Sequence, residues 1–289
     1  MKRRVFQILG TIIPNTHFQA FAGKILYQGP LKGFCIPVFN CYACPLAIFS
    51  CPIGVIQHFA IIRTIPFYAL GIIGMTGATI GRMSCGWFCP FGFMQDVMYK
   101  IRSFKIRIPK VFGYFKYVSL VGVAVIIPFL TGEPWFSKLC PLGTLEAGIP
   151  LAIASSEIRS LLGGFFILKL VILGVFLFLF VVSRRPFCVT TCPLGAIYSL
   201  FNRVSLVRLE ADQELCHDCG ICEKVCPTEL KIPEELDSLN CIRCLDCWKE
   251  CPQGAIKLNT WSIGQPLSLI ERIRDVILPL TKGGVRDGY

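Results

Sequence analysis

Residues 216–227 read Cys216-His-Asp-Cys219-Gly-Ile-Cys222-Glu-Lys-Val-Cys226-Pro227, and residues 241–252 repeat the spacing as Cys241-Ile-Arg-Cys244-Leu-Asp-Cys247-Trp-Lys-Glu-Cys251-Pro252. Thiolates in this C-x2-C-x2-C-x3-C-P spacing bind [4Fe–4S] clusters, and the fourth cysteine of each run ligates the other cluster of the pair. The spacing therefore predicts two crossed ligand sets: Cys216, Cys219, Cys222 and Cys251 for one cluster, and Cys241, Cys244, Cys247 and Cys226 for the other. Structural zinc in paired C-x2-C knuckles is the alternative, and the repeated Cys-Pro ending argues against it.

The rest of the chain has the composition of a membrane protein. Hydrophobic residues make up 54% of the sequence, charged residues make up 16%, and the mean hydropathy is +0.61. A spanning helix needs about 20 mostly apolar residues, and the candidates are Val5–Ala22, Ile65–Gly81, Phe112–Leu130 and Leu161–Val182. A signal peptide is the alternative for the first stretch, because basic residues precede it. We favour a span there, since an even number of spans leaves both termini on one side.

The positions of lysine and arginine predict the orientation of these spans. Basic residues concentrate at the N-terminus, in the connection between the second and third spans, and after the fourth span. Cytoplasmic loops are enriched in these residues, so both termini and the C-terminal cysteine domain should face the cytoplasm. This placement accounts for most of the net charge of +11. A nucleic-acid partner is therefore disfavoured.

A Cys-Pro-x-Gly motif recurs in the membrane part, beginning at Cys51, Cys89, Cys140 and Cys192. Two copies extend upstream into C-x3-C-P units that begin at Cys85 and Cys188, so the region resembles a weak internal repeat. Proline suits the first helical turn, glycine lets the backbone approach a bulky group, and helix-opening N–H groups stabilise an anion. The motif predicts re-entrant loops that hold thiolate-ligated clusters.

The predicted topology divides the membrane cysteines into two further sets. One set lies at the cytoplasmic ends of the spans and predicts a third cluster: Cys85, Cys89, Cys188 and Cys192. The other lies at the opposite ends and predicts a fourth: Cys41, Cys44, Cys51 and Cys140. Free buried cysteines and a C-x3-C redox dithiol are the alternatives for these sets, and Cys35 is left without a role. Because the hydrocarbon core is about 30 Å thick, we expect the loops to dip inward and bring the two sets together.

The paired C-x3-C-P units, followed by a two-cluster ferredoxin domain, resemble the NapH/NosR-type polyferredoxin membrane proteins, which include a quinol-dehydrogenase membrane subunit. The resemblance covers roughly residues 82–255. It implies that Cys85, Cys89, Cys188 and Cys192 are functional, and that the protein exchanges electrons with a membrane quinone. The chain departs from the common pattern in its cysteine-rich segment Cys35–Cys51 and in Cys140.

Ionisable residues near the membrane are candidates for a functional role. His58 follows the Cys51 loop and Glu146 follows Cys140, so each is a candidate proton acceptor for a quinol. A haem b between His17 and His58 is disfavoured, because no further motif supports it. The stretch 95–110 alternates apolar and basic residues, which predicts an amphipathic helix on the membrane surface.

Together these patterns predict an α-helical membrane bundle of about four transmembrane helices with Cys-Pro-x-Gly re-entrant loops, plus a small α+β two-cluster bacterial ferredoxin domain. We expect the membrane domain at 1–200, the ferredoxin domain at 201–258 and a docking tail at 259–289. No nucleotide-binding or nucleophile motif occurs, so chemistry beyond electron transfer is left to partners.

The predicted function is a multi-pass, membrane-bound iron–sulfur electron-transfer subunit in the inner (cytoplasmic) membrane of a bacterium or archaeon. Its partners would be the lipid bilayer, a membrane quinone and redox enzyme subunits of hydrogenase, dehydrogenase or reductase type. An electron-donating maturation factor for a metallo-oxidase and an iron–sulfur redox sensor are the alternatives.

Overall fold

The computed structural model describes residues 3–18, 20, 26–154, 156–160, 163–236 and 238–260. The expected docking tail therefore lies outside the described residues from position 261 onward. Within the described residues the chain is mostly helical, and a two-stranded sheet lies near the C-terminal end of the described part.

The first two-thirds of the chain form helices of unequal length. Short 3-10 turns cover Ile13–Asn15 and Pro30–Gly33, and the other helical segments are Arg3–Ile12, Pro52–Ile61, Phe67–Ile80, Met83–Trp87, Pro90–Met98, Lys110–Thr131, Trp135–Leu139, Pro141–Ala154, Ser156–Ser160, Gly164–Val182, Pro186–Thr190 and Pro193–Phe201. Several begin at a proline, whose fixed φ suits the first helical position and whose missing N–H costs nothing there.

Among the described residues, two helices are long and apolar enough to cross a membrane: Lys110–Thr131 and Gly164–Val182. They correspond to the third and fourth expected spans. The first expected span overlaps the 10-residue helix Arg3–Ile12, and the second contains the 14-residue helix Phe67–Ile80. At about 1.5 Å per residue, both are shorter than a hydrocarbon core of about 30 Å. The expected four-span bundle is therefore not confirmed.

The two long helices leave most of their apolar surface uncovered by the rest of the chain. Only 28% of the most apolar window of Lys110–Thr131 is buried, and only 17% of that of Gly164–Val182. Ile167, for example, is 64% exposed. The core helix of a soluble protein is buried on its apolar face, whereas these two helices are mostly uncovered among the described residues.

The prediction of an amphipathic helix over residues 95–110 is wrong. The helix Pro90–Met98 ends within this stretch, and residues 102–109 have no regular structure. The Nζ atom of Lys105 donates hydrogen bonds to the backbone oxygens of Tyr99, Ile101 and Val181 at 2.7, 2.9 and 2.7 Å. Carbonyl groups that would continue the helix are therefore bonded to a side chain, and the segment is held against the end of Gly164–Val182.

One apolar core contains cysteines of both membrane sets. Cys51 and Cys140 share this core with cysteines of the C-x3-C-P units and with a group of phenylalanines: Phe39, Phe91, Phe136, Phe180 and Phe187. The ring of Phe91 lies 4.8 Å from that of Phe187 and 5.9 Å from that of Phe39, measured between centroids. The loops that carry both sets therefore converge, as the Cys-Pro-x-Gly pattern predicts.

The C-terminal part is a small α+β unit. Strand β1, Val207–Ala211, pairs antiparallel with strand β2, Ile256–Thr260, and Leu209 stands opposite Leu258. Between the strands, the short helices Ile221–Val225 and Asp246–Glu250 each begin inside a cysteine run. The strands thus close a unit that contains both runs.

Candidate iron–sulfur centres

Each Cys-Pro-x-Gly motif places its cysteine immediately before a helix, in extended backbone, with proline as the first helical residue. In the last motif the N–H group of Gly195 donates to the Sγ atom of Cys192 at 3.3 Å. The other three glycines make the corresponding bond: Gly54 to Cys51, Gly92 to Cys89 and Gly143 to Cys140. The motif therefore points a backbone donor at every thiolate, as expected from the sequence.

We call Cys85, Cys89, Cys188 and Cys192 the first membrane set. All four are buried. Burial, together with the charges of Cys188 and Cys85, raises the pKa of Cys89 to about 12. Burial and the charges of Cys188 and Cys85 likewise raise the pKa of Cys192. The four thiols therefore lie within electrostatic reach of one another.

Two buried arginines bind the C-x3-C-P units to one another. The Nη2 atom of Arg82 donates to the carbonyl oxygen of Cys188 at 3.0 Å, and the Nη1 atom of Arg185 donates to that of Cys85, also at 3.0 Å. Each arginine precedes the first cysteine of its own unit by three residues and bonds to the other unit. The sequence carries this signal as Arg-x2-Cys-x3-Cys-Pro-x-Gly at 82–92 and 185–195, and our sequence reasoning missed it.

The charges around the first membrane set do not balance within the described residues. Arg185 is paired with Asp96, but neither Arg82 nor Lys116 pairs with a carboxylate in the part of the chain that the structure describes. Arg82 is fully buried, Lys116 is 1% exposed, and the Nε atom of Arg82 has no hydrogen-bond partner. A buried cation is costly unless an anion compensates it. A [4Fe–4S] cluster ligated by four thiolates is an anion, so these residues fit that group.

We call Cys41, Cys44, Cys51 and Cys140 the second membrane set. Cys41, Cys51 and Cys140 line one cavity of about 280 Å³. Cys44 does not line this cavity; its N–H group donates to the carbonyl oxygen of Cys41 at 3.2 Å. Cys35 lies beside the set, because it forms a β-bridge with Ser50. The structure thus brings three of the four predicted ligands together and leaves Cys44 and Cys35 at the margin.

The two candidate proton acceptors both lie beside the second membrane set. The Oε2 atom of Glu146 accepts a hydrogen bond from the N–H group of Cys41 at 3.1 Å. His58 lines a mostly apolar cavity of about 300 Å³, whose wall also includes Cys51, Tyr42 and Lys32.

We call Cys216, Cys219, Cys222 and Cys251 the exposed ferredoxin set. All four line one cavity of about 440 Å³, and Cys219 is solvent-exposed. Slight burial raises the pKa of Cys251, but hydrogen bonds from the backbone amides of 253–256 hold it below its usual range. The cavity is far larger than one ion needs, and the four sulfur donors around it fit a cubane cluster.

We call Cys226, Cys241, Cys244 and Cys247 the buried ferredoxin set. All four are buried. Burial, together with the charge of Cys226, raises the pKa of Cys241 to about 11 and that of Cys247 to about 12. Cys226 therefore lies with the second cysteine run, and Cys251 lies with the first, which is the crossed arrangement that the spacing predicts.

None of the described His, Cys, Asp and Glu side chains forms a group of three or more that could hold a single metal ion. The raised pKa values mean that most of these buried thiols are neutral at ordinary pH when nothing is bound. A coordinated metal cation deprotonates such thiols outright. Assembly of iron into these sets should therefore release protons.

Comparison with known proteins identifies the family. Two models that are each described as a 4Fe-4S binding domain match the chain, one over residues 64–109, 113–149 and 164–210, and the other over residues 209–230. An uncharacterized protein of Methanocaldococcus jannaschii is 32% identical over 222 residues, which are 73% of this chain and 78% of that protein. The ferredoxin-type protein NapH of Escherichia coli is 27% identical over 217 residues, 66% of this chain and 70% of NapH. The chain belongs to the NapH-type polyferredoxin family.

The methylamine utilization ferredoxin-type protein MauN of Methylorubrum extorquens is 32% identical over 149 residues, 50% of this chain and 47% of MauN. No solved structure matches the chain. The matches support iron–sulfur binding and an electron-transfer role for this NapH-type protein. The cysteines from Cys35 to Cys51 lie outside both matched models.

In this NapH-type chain the backbone between Cys85 and Cys89 packs against the second ferredoxin run. Gly86 lies between Cys85 and Cys89, and a Cβ atom at this glycine would lie 2.6 Å from the carbonyl oxygen of Ile242 and 3.6 Å from the Cα atom of Cys244. Only glycine lets the two backbones approach this closely. Next to it, the Nε1 atom of Trp87 donates to the carbonyl oxygen of Arg243 at 3.1 Å.

The two membrane sets of this NapH-type chain are also joined by one residue. Phe39 precedes Cys41 by two positions, and its carbonyl oxygen lies 3.9 Å from the Sγ atom of Cys89. Its ring packs at 5.5 Å from the ring of Phe187, which immediately precedes Cys188. A single residue therefore separates the backbone of the second set from a ligand of the first.

Proposed function

We propose that this protein is a membrane-bound iron–sulfur electron-transfer subunit that passes electrons between a membrane quinone and a partner redox enzyme. The observation that carries the proposal is the packing of the segments that hold consecutive cysteine sets. Cys222 of the exposed ferredoxin set lies within electrostatic reach of Cys247 of the buried one. Gly86 packs against the second ferredoxin run, and the carbonyl oxygen of Phe39 lies 3.9 Å from the Sγ atom of Cys89.

Bound [4Fe–4S] clusters would supply one-electron carriers at these four sets. The protein supplies closely packed segments and N–H donors to the thiolates. Because the rate of electron transfer falls steeply with distance, close packing of the segments that hold consecutive sets is the feature that supports such a function.

The membrane location is supported by the uncovered apolar surfaces of Lys110–Thr131 and Gly164–Val182. Lipid is the environment in which such surfaces are stable. The distribution of lysine and arginine supports a cytoplasmic ferredoxin domain within this proposal. Redox enzyme subunits of hydrogenase, dehydrogenase or reductase type would then exchange electrons with it from that side.

The cavity of about 300 Å³ that His58 lines is the proposed quinone site. Its wall is mostly apolar, with Val55, Phe59 and Pro134 among the lining residues, and it offers polar groups on His58 and Tyr42. Pockets for small apolar molecules combine these two features.

Oxidation of a quinol releases two electrons and two protons. His58 lines the cavity and would accept one proton, and Glu146, which accepts a hydrogen bond from the N–H group of Cys41, would accept the other. The two electrons would pass one at a time to a cluster at the second membrane set, whose Cys51 lies in the same wall.

Iron content tests the cluster assignment. The full chain, purified anaerobically in lipid nanodiscs, should contain about 16 iron atoms and as much acid-labile sulfide if all four sets are filled. Cys192→Ala should lower the iron content by about four atoms and leave the ferredoxin signals intact. About eight iron atoms per chain, with the first membrane set freely alkylated, would reject the membrane clusters.

Cavity blocking tests the quinone site. Val55→Trp should fill the cavity and abolish reduction of the clusters by a short-chain quinol, while reduction by dithionite continues. The matched control is Val121→Trp, because Val121 is 53% exposed on the apolar face of Lys110–Thr131. Equal quinol rates in both variants would place the quinone elsewhere.

A further inference from the structure

Arg82 and Lys116 are two buried basic side chains with no carboxylate partner among the described residues. Burial and the charge of Arg82 disfavour the protonated form of Lys116, and negative charge at Cys192 and Cys85 favours it. The Nη2 atom of Arg82 would lie 3.2 Å from a Cβ atom at Gly195. Both cations therefore border the first membrane set.

The same two cations also hold the segment that leads into the buried ferredoxin set. The Nη1 atom of Arg82 donates to the carbonyl oxygen of Leu239 at 2.8 Å. The Nζ atom of Lys116 donates to the Oδ1 atom of Asn240 at 2.6 Å. Leu239 and Asn240 immediately precede Cys241, and the charge of Arg82 lowers the pKa of Cys241 against the larger effect of burial. The cation pair thus lies between two cysteine sets.

The other arginine of the reciprocal pair has a different electrostatic role. Arg185 is compensated by Asp96, which accepts hydrogen bonds from its Nε and Nη2 atoms at 2.7 and 2.6 Å. Asp96 offsets part of its charge, whereas no carboxylate among the described residues pairs with Arg82 or Lys116. Arg243 has a larger effect than Arg82 on the pKa of Cys241. Arg82 and Lys116 therefore add to the positive charge that Arg185 and Arg243 supply.

We propose that Arg82 and Lys116 are positioning residues for electron transfer, which set the reduction potentials of the two clusters on either side of them. Reduction adds negative charge to a cluster, and a nearby buried cation stabilises that charge strongly because the surroundings screen it poorly. The pair raises the reduction potentials of both clusters. An electron is therefore more stable on either of them than on the cluster of the exposed ferredoxin set. This inference rests on the proposed function, because it requires a cluster at the first membrane set.

The experiment is a redox titration of the full chain in nanodiscs, monitored by electron paramagnetic resonance. Arg82→Gln and Lys116→Gln should each shift the potentials of the first membrane set and the buried ferredoxin set to more negative values. We expect at least about a tenfold lower preference for the reduced state, which is about 59 mV for a one-electron couple. The exposed ferredoxin set should not shift, and it serves as the internal reference.

Two control variants separate charge from structure. Arg82→Lys keeps the charge but cannot reproduce both hydrogen bonds of Arg82, so it should restore most of the wild-type potential. Lys110→Gln removes a charge from the exposed start of the same helix, and it should change none of the potentials. If Arg82→Gln loses iron, the potentials of Lys116→Gln and Arg82→Lys still test whether these charges set the reduction potentials.

Unchanged potentials in Arg82→Gln and Lys116→Gln, with full iron content, would overturn the inference and leave the proposed function intact. A shift in Arg82→Lys as large as that in Arg82→Gln would also overturn it, since the effect would then come from lost hydrogen bonds. Absence of any cluster at the first membrane set in the wild-type protein would instead refute the proposed function.

Discussion

The side-chain amide of Gln95 donates a hydrogen bond to the Sγ atom of Cys188 at 3.1 Å. Gln95 is fully buried, and the same nitrogen atom also donates to the carbonyl oxygen of Phe91 at 3.1 Å. With the bond from Gly195 to Cys192, the first membrane set receives donors from both a side chain and the backbone. Such bonds favour the more negative, reduced state of a cluster.

Gln95→Leu should therefore lower the reduction potential of the first membrane set, because the reduced state loses a hydrogen-bond donor. The potential can be followed in the same spectroscopic titration. Gln57→Leu is the matched control, since Gln57 is also fully buried but donates to the Oγ atom of Ser137 at 2.9 Å. If both variants leave the potential of the first membrane set unchanged, the bond to Cys188 does not influence the cluster.

Gly86→Ala should slow electron transfer between the ferredoxin domain and the membrane clusters. The new methyl group would collide with the backbone at Ile242, so the two backbones must separate, at a cost of about 1–3 kcal/mol in stability. When the dithionite-reduced protein is mixed with a short-chain quinone in a stopped-flow instrument, the ferredoxin clusters should be oxidised more slowly than in the wild type.

Gly74→Ala is the control for this change. A Cβ atom at Gly74 would meet nothing within 4 Å, so the transfer rate should stay at the wild-type value. A wild-type rate in Gly86→Ala itself would show that electrons do not cross at this contact.

Asp96→Asn should destabilise the protein, because it leaves Arg185 buried without a counter-charge. Breaking one partner of a buried pair costs about 3–5 kcal/mol. Burial raises the pKa of Asp96, but Arg185 and Arg3 together hold it below its usual range. Since the pKa is lower in the folded state, this stabilisation is present above the unfolded-state pKa and disappears as the pH falls through the folded-state pKa.

The difference in unfolding free energy between wild type and Asp96→Asn should accordingly be full at neutral pH and shrink in acid. Denaturant titration at several pH values measures it. Asp212→Asn, which removes the surface pair with Lys257, should have little effect. A difference that does not depend on pH would show that the ionised form of Asp96 is not what stabilises the fold.

The two ferredoxin sets follow from the sequence because the ligand spacing within each run is local, whereas the two membrane sets combine cysteines that are far apart in the chain. The runs beginning at Cys216 and Cys241 imply the crossed arrangement, and the Cys-Pro-x-Gly pattern implies a helix start behind each cysteine. Hydropathy also identified Lys110–Thr131 and Gly164–Val182 closely. These features depend on residues that are near one another in the chain.

Features that depend on tertiary contacts were not predictable in this way. Lys105 helps to end the helix Pro90–Met98, and this role could not be predicted without knowing that the carbonyl oxygen of Val181 lies within hydrogen-bond distance of its Nζ atom. The uncompensated charges of Arg82 and Lys116 become apparent only once Asp96 is seen to pair with Arg185. The repeated Arg-x2-Cys spacing was readable, but nothing local indicates that each arginine bonds to the opposite unit.

Thiol labelling tests the orientation that we propose. Glu133→Cys lies in the exposed turn after Lys110–Thr131, and Glu210→Cys lies exposed on strand β1. In intact cells an impermeant maleimide should label Glu133→Cys above the wild-type background and should not label Glu210→Cys. Both variants should react after lysis. The reverse pattern would place the ferredoxin domain on the outer side of the membrane.

The second membrane set gives the last prediction, since the structure brings Cys41, Cys51 and Cys140 to one cavity but leaves the fourth ligand at the margin. Cys140→Ala should remove about four iron atoms and stop quinol-dependent reduction, while both ferredoxin signals persist. The C-x2-C spacing from Cys41 assigns the fourth ligand to Cys44, so Cys44→Ser should have the same effect.

Cys35→Ser is the matched control, because Cys35 is a buried cysteine beside the same loop, bridged to Ser50. Iron loss in Cys35→Ser but not in Cys44→Ser would reassign the fourth ligand to Cys35, because the β-bridge already holds that residue next to Cys51. Unchanged iron content and quinol rate in Cys140→Ala would remove the second membrane cluster altogether. The remaining sets would then form a relay in which quinone reaches the first membrane set directly.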